Sequence, residues 1–146
     1  MNWKVEAEDK LKGYVPHKLA LDNITDELTR LESRYTSIRG ATLDGMPKGR
    51  GSSAREDAIL SNIVHRQELE LTFKQAELWV ATVDRALDVL EPDERLVLDR
   101  FYINPARGNV GVLRDELGLQ EDSSVYRRKD KALRRFTLAL YGLVES

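Results

Sequence analysis

Two apolar stripes of matching heptad phase constrain the fold of this chain more than any other feature. The first runs Leu21, Ile24, Leu28, Leu31, Tyr35 and Ile38, and the second runs Phe73, Ala76, Val80, Val83, Leu87 and Leu90. Each steps alternately by three and four residues, which lines its side chains along one side of an α-helix. Asp22, Asp26, Glu27, Arg30, Glu32 and Arg34 fill the other faces of the first helix. Its expected length is roughly 23 residues, or ~35 Å. Two such helices joined by a loop predict an antiparallel hairpin or a dimeric bundle.

The joining segment is "GATLDGMPKGRGSS", residues 40 to 53, with four of the chain's nine glycines and one of its four prolines. That composition predicts a loop. Its "GRGSS" end lacks the Gly-Lys-Ser/Thr of a phosphate-cradling loop and follows no strand, so a connector is expected. Ser52 or Ser53 is then the expected cap of a helix from Ala54 to Leu90 that contains neither Gly nor Pro. A helix that long, ~55 Å, outruns its partner. It is expected either to break near His65 to Leu71 or to pack against another subunit.

The chain has 146 residues, 41% of them hydrophobic, enough for one sizeable core or two smaller lobes. No run is long and apolar enough for a membrane span, and "MNWKVEAEDKLKG" has no secretory signature, so a cytoplasmic protein without membrane contact is expected. The absence of cysteine excludes disulfides, zinc-thiolate sites and thiol nucleophiles. His17 and His65 are the only imidazoles, and no cofactor or metal is expected. The carboxylate pairs Glu68/Glu70 and Asp84/Asp88 lie off the apolar stripe and read as solvated charge. Nothing spells a nucleophile, base and orienter set, so an enzyme is not expected.

Pro92 ends the long helix and suits the first turn of a new one, where Asp93 and Glu94 favour the helix dipole. A short helix, "PDERLVLDRFY", is predicted from Pro92 to about Tyr102, followed by the connection "INPARGN". Val110, Leu113 and Leu117 then mark a helix of two to three turns stopped by Gly118. After the polar turn "QEDSS", Ser123 or Ser124 is the expected N-cap of a final helix.

That final helix begins with "SSVYRRKDKALRRF", which holds six Lys or Arg and one Asp, whereas the whole chain has a formal charge of -2. Residues 123 to 141 carry +5, which leaves -7 elsewhere, and such separation points to an anionic partner. Stepping about 100° per residue puts Val125, Ala132, Leu133, Phe136, Ala139 and Leu140 on one side, continued by Leu143. Arg127, Asp130, Lys131 and Arg134 project opposite, with Tyr126 at the margin. A helix that packs one face and lays the other in a DNA major groove needs this division.

Arg127, near the N-terminal end, is the candidate for a bidentate contact to guanine, with Ser123 and Tyr126 placed for base edges or phosphate. Lys131, Arg134 and Arg135 suit phosphates. Asp130 could accept from cytosine, but pairing with Arg134 four residues on is the expected role. Arg128 and Lys129 flank the apolar side and must snorkel outward. The candidate DNA-contacting set is Ser123, Ser124, Tyr126, Arg127, Lys129, Asp130, Lys131, Arg134 and Arg135.

"LEPDERLVLDRFY", "VGVLRDELGL" and "SSVYRRKDKALRRF" together resemble the C-terminal, promoter-binding helix-turn-helix of bacterial sigma factors. With the helical region and glycine-rich loop before it, the chain is similar to phage late-gene transcriptional regulators of the ArpU and RinA type. The sigma-like stretch covers residues 90 to 141; the rest of the likeness is in layout. Here "QEDSS" is one residue longer than the usual turn, and Arg128 stands where relatives carry an apolar residue. The resemblance implies a sequence-specific, double-stranded DNA-binding regulator of phage or prophage late genes, an activator working with the host RNA polymerase.

The expected architecture is all-α, with a hairpin over residues 1–90 and a DNA-binding domain over 91–146, open to homodimerisation through the heptads. Competing readings are a helical module that binds an acidic protein and a DNA-binding protein similar to a phage terminase small subunit.

Overall fold

The computed structural model describes residues 2–43 and 50–142. It is all-α, with no strand among those residues. The elements are α1 (Trp3–Lys12), α2 (Tyr14–Leu43), α3 (Arg50–Asp88), α4 (Pro92–Leu98), a π-helical turn (Asp99–Ile103), α5 (Asn109–Glu116) and α6 (Asp122–Tyr141). No helix among the described residues is long and apolar enough to cross a membrane.

The glycine-rich segment is shorter than the sequence suggests. Residues 40–43 continue α2 and residues 50–53 already belong to α3, while 44–49 lie outside the described residues. The long helix does not break near His65 to Leu71, and it starts upstream of Ser52 and Ser53, so neither is its cap. Glycine costs only about 1 kcal/mol in a helix, which a packed helix absorbs.

The chain divides into two compact units, one of residues Leu19–Glu77 and one taking in the chain up to Lys18 and from Leu78 onward. The first holds most of α2 and most of α3. Ile24, Leu31 and Ala76 are buried, and Leu21, Leu28, Tyr35, Ile38 and Phe73 are half-buried. Toward its start the α3 stripe turns polar: Asn62 is buried and donates from Nδ2 to the Leu31 carbonyl at 2.9 Å. The Arg66 guanidinium lies 4.7 Å from the centre of the Tyr35 ring.

The second unit is completed by α1, a helix that apolar spacing does not predict. Asn2 caps this helix through Oδ1, accepting from the amides of Lys4 and Val5. Ala7 and Leu11 of α1 are fully buried, in one cluster with Val83 of α3, Leu98 of α4 and Ala132, Leu133 and Phe136 of α6. The cluster therefore joins residues near both ends of the described chain. The division expected at residue 90 differs from this grouping, because the first turns of the chain and the last turns of α3 pack with the C-terminal helices.

Gly13 separates α1 from α2 and admits Trp79. A Cβ at Gly13 would lie 2.5 Å from Cζ2 of that indole, so a glycine is required by close approach rather than by backbone angle. Trp79 Nε1 donates to the Lys10 carbonyl at 2.9 Å, the Lys10 ammonium lies 3.9 Å from the ring centre, and His17 stacks on the ring at 4.2 Å.

Candidate nucleic-acid interface

α4 begins at Pro92, as the sequence predicts, and carries a reciprocal cap in which the Glu91 amide donates to Glu94 Oε1 at 3.0 Å. The π-helical turn follows, with the Asn104 amide donating to the Asp99 carbonyl at 2.7 Å. It carries Phe101 and Tyr102 toward α6. Gly118 stops α5 with φ 66°; its own amide reaches the Asp115 carbonyl and the Leu119 amide reaches that of Arg114.

α6 starts one residue before the expected cap. Glu121 is the N-cap position, and Ser123 and Ser124 lie inside the first turn. Asp122 explains the shift: its carboxylate accepts from Arg114 at 3.0 Å, tying the start of α6 to α5, and it favours the helix dipole. Ser123 donates to Glu121 Oε2 at 3.2 Å.

One face of α6 is core. Val125, Ala132, Leu133, Phe136 and Thr137 are buried, and Leu140 is half-buried. Val125 packs with Val97 of α4 and Leu113 of α5, so α4, α5 and α6 share a small apolar centre of their own. Ala139, expected on this side, is exposed, and Leu143 lies outside the described residues. Thr137 takes a core place because its hydroxyl donates to the Leu133 carbonyl at 2.6 Å, which satisfies it without water.

The opposite face carries Tyr126, Arg127, Asp130, Lys131 and Arg134, all exposed. Arg127, Lys131 and Arg134 form no ion pair among the described residues. Asp130 departs from its expected pairing: it lies 3.8 Å from Lys129 and has no ion pair with Arg134. Lys129 is half-buried with its ammonium 5.3 Å from the centre of Phe101 and 5.5 Å from that of Tyr126. The aromatic pair thus accommodates the charge that had no obvious place beside the core.

Arg128 is exposed and borders a small hollow with Asp93, Glu94, Val97 and Lys131, so it does not enter the core. Arg135 has another occupation: its guanidinium is ion-paired and hydrogen-bonded to Glu94, whose side chain is only 13% exposed. Among the described residues, the cations of α6 without an ion pair are accordingly Arg127, Arg128, Lys131 and Arg134. Sequence periodicity has no means of showing the Glu94 pairing, since it spans 41 residues.

Three tyrosines of this unit hold their protons above the ordinary tyrosine range. Partial burial, with Asp84 accepting from its hydroxyl at 2.7 Å, pushes Tyr14 up to about 12. Burial and the neighbouring carboxylates of Glu8 and Asp130 hold Tyr102 protonated far above the ordinary range, and burial near Glu6 and Asp9 raises Tyr141. The other motifs weighed in the sequence lie elsewhere: His65, Glu68 and Glu70 are exposed on α3. Among the described residues no three His, Asp or Glu side chains gather as a metal site.

No family model, curated protein or solved structure matches the chain.

Proposed function

We propose that this protein binds double-stranded DNA in a sequence-specific manner through the outer face of α6 and regulates transcription, as the likeness to phage late-gene regulators implies. In this reading α5, the turn at 117–121 and α6 act as a helix-turn-helix, with α6 laid in the major groove.

One observation carries the proposal. Val125, Ala132, Leu133 and Phe136 hold α6 to the fold, while Arg127, Arg128, Lys131 and Arg134 are exposed and form no ion pair among the described residues. A structural helix of an acidic chain would be expected to neutralise such a cluster internally, as Arg135 is neutralised by Glu94. Four unpaired cations along ~10 Å of helix match the charge density of a phosphate backbone.

Roles divide along the helix. Arg127, in the second turn, is the base reader, with Tyr126 and Ser123 beside it. Lys131 and Arg134, one and two turns further on, hold phosphates, and Arg128 joins them. Arg135 and Lys129 position the helix by their contacts to Glu94, Phe101 and Tyr126, and Ser124 is half-buried in the first turn.

Selection of duplexes from a random-sequence pool by the full chain tests this reading. Enrichment of a defined motif is expected, with Arg127→Ala broadening one or two positions at a loss of about 1–3 kcal/mol for the preferred base. If the protein retains no duplex at low salt, α6 serves another anionic surface, such as an acidic protein.

A further inference from the structure

α3 carries a second apolar stripe that α2 does not cover. Leu60, Val64, Leu71 and Leu78 are 61%, 44%, 60% and 63% exposed, on the side of the helix opposite Asn62, Leu69 and Ala76. Val64, Leu71 and Leu78 recur at seven-residue intervals, the period of a coiled-coil seam. At the same interval the series continues to Asp57 before them and Arg85 after them, both exposed.

We infer that this face is a homodimer interface, in which α3 pairs antiparallel with α3 of a second copy about a two-fold axis at Leu71. In that arrangement, a residue some number of positions before Leu71 meets the residue equally far after it on the other copy. The sequence is complementary to itself about this point. Val64 meets Leu78, Glu68 meets Lys74, Gln67 meets Gln75, and Asp57 meets Arg85. Each contact occurs twice, and Leu71 meets its own copy at the centre.

Other registers lose this match. Moving the axis half a heptad toward the start of α3, so that Val64 meets Leu71, sets Leu78 against Asp57. A parallel pairing sets Glu68 on Glu68, Lys74 on Lys74 and Asp57 on Asp57. A carboxylate set against Leu78 selects against the first alternative, and like charges facing each other across the seam select against the second. The charged members are available in the single chain: Asp57, Glu68 and Lys74 are exposed without ion pairs among the described residues, and Arg85 donates only to Thr82 of its own helix, at 3.4 Å. This surface is separate from α6, and the inference stands whether or not the protein binds DNA.

Sedimentation velocity of the full chain across a concentration series tests the interface. The parent is expected to form a dimer. Leu71→Glu, at a site exposed in the single chain, should weaken association by at least about tenfold with helix content unchanged by circular dichroism. Lys74→Glu alone should weaken the dimer, because it faces Glu68 with a second carboxylate, and should carry the test if Leu71→Glu loses helix content. Adding Glu68→Lys should restore association. A monomeric parent, or a dimer indifferent to these changes, overturns the inference; failure of the paired reversal to restore the dimer overturns the register.

Discussion

Leu11→Ala should destabilise the unit that carries α6, although the two helices are far apart in sequence. Leu11 is fully buried in the cluster that contains Leu98, Ala132, Leu133 and Phe136. The substitution removes three carbons and leaves a cavity between helices fixed by other contacts. Comparable core truncations cost about 3–4 kcal/mol. At a typical urea dependence of about 2 kcal/mol per molar, the midpoint should fall by roughly 1.5–2 M. Trp3 and Trp79 both belong to this unit, so tryptophan fluorescence during urea unfolding reads it directly. Val5→Ala on the same helix, 47% exposed, should shift stability by less than about 0.5 kcal/mol. If Leu11→Ala is as mild as Val5→Ala, α1 is not part of the core that supports α6, and the packing described above is wrong.

Other consequences follow from specific contacts. Gly13→Ala should cost about 1–3 kcal/mol in thermal unfolding, since its methyl group must displace the Trp79 ring; an unchanged melting temperature would refute that contact. Arg135→Ala should lower stability by about 1–2 kcal/mol by leaving Glu94 partly buried without its counter-charge, and its effect on DNA selectivity should be small beside that of Arg127→Ala. Equal losses of selectivity would return Arg135 to the DNA-contacting set. Because Tyr14 holds its proton up to about 12, against 10.0 for a free tyrosine, its contribution to stability is complete below pH 10 and is lost as pH rises toward 12. Tyr14→Phe should flatten that part of the alkaline stability curve measured by urea unfolding.

Much of the architecture was legible because helices announce buried faces through spacing. Both heptad stripes, the start of α4 at Pro92, the stop of α5 at Gly118 and the buried face of α6 follow from residues within one or two turns of each other. The misses depend on distant partners. α1 buries only Ala7 and Leu11, too few apolar positions for periodicity to register, and owes its place to residues of α6 more than a hundred positions later. Arg135 reads as a phosphate contact because Glu94 is remote in sequence, and Ser123 reads as a cap because the competing bond between Asp122 and Arg114 depends on how α5 and α6 meet. Of the proposed DNA-contacting residues, the exposed positions of Arg127, Lys131 and Arg134 were visible in the helical projection. The aromatic support under Lys129 was not.

Salt dependence of duplex binding bears most directly on the central claim. With Arg127, Arg128, Lys131 and Arg134 neutralising about four phosphates, a log-log plot of affinity against salt should have a slope of roughly -3.5 for each α6 helix engaged, and roughly twice that if a dimer places both on one duplex. Lys131→Ala should reduce it by about one unit per helix. Binding that does not change with salt, or a slope untouched by Lys131→Ala, would contradict the assignment of the α6 face to DNA.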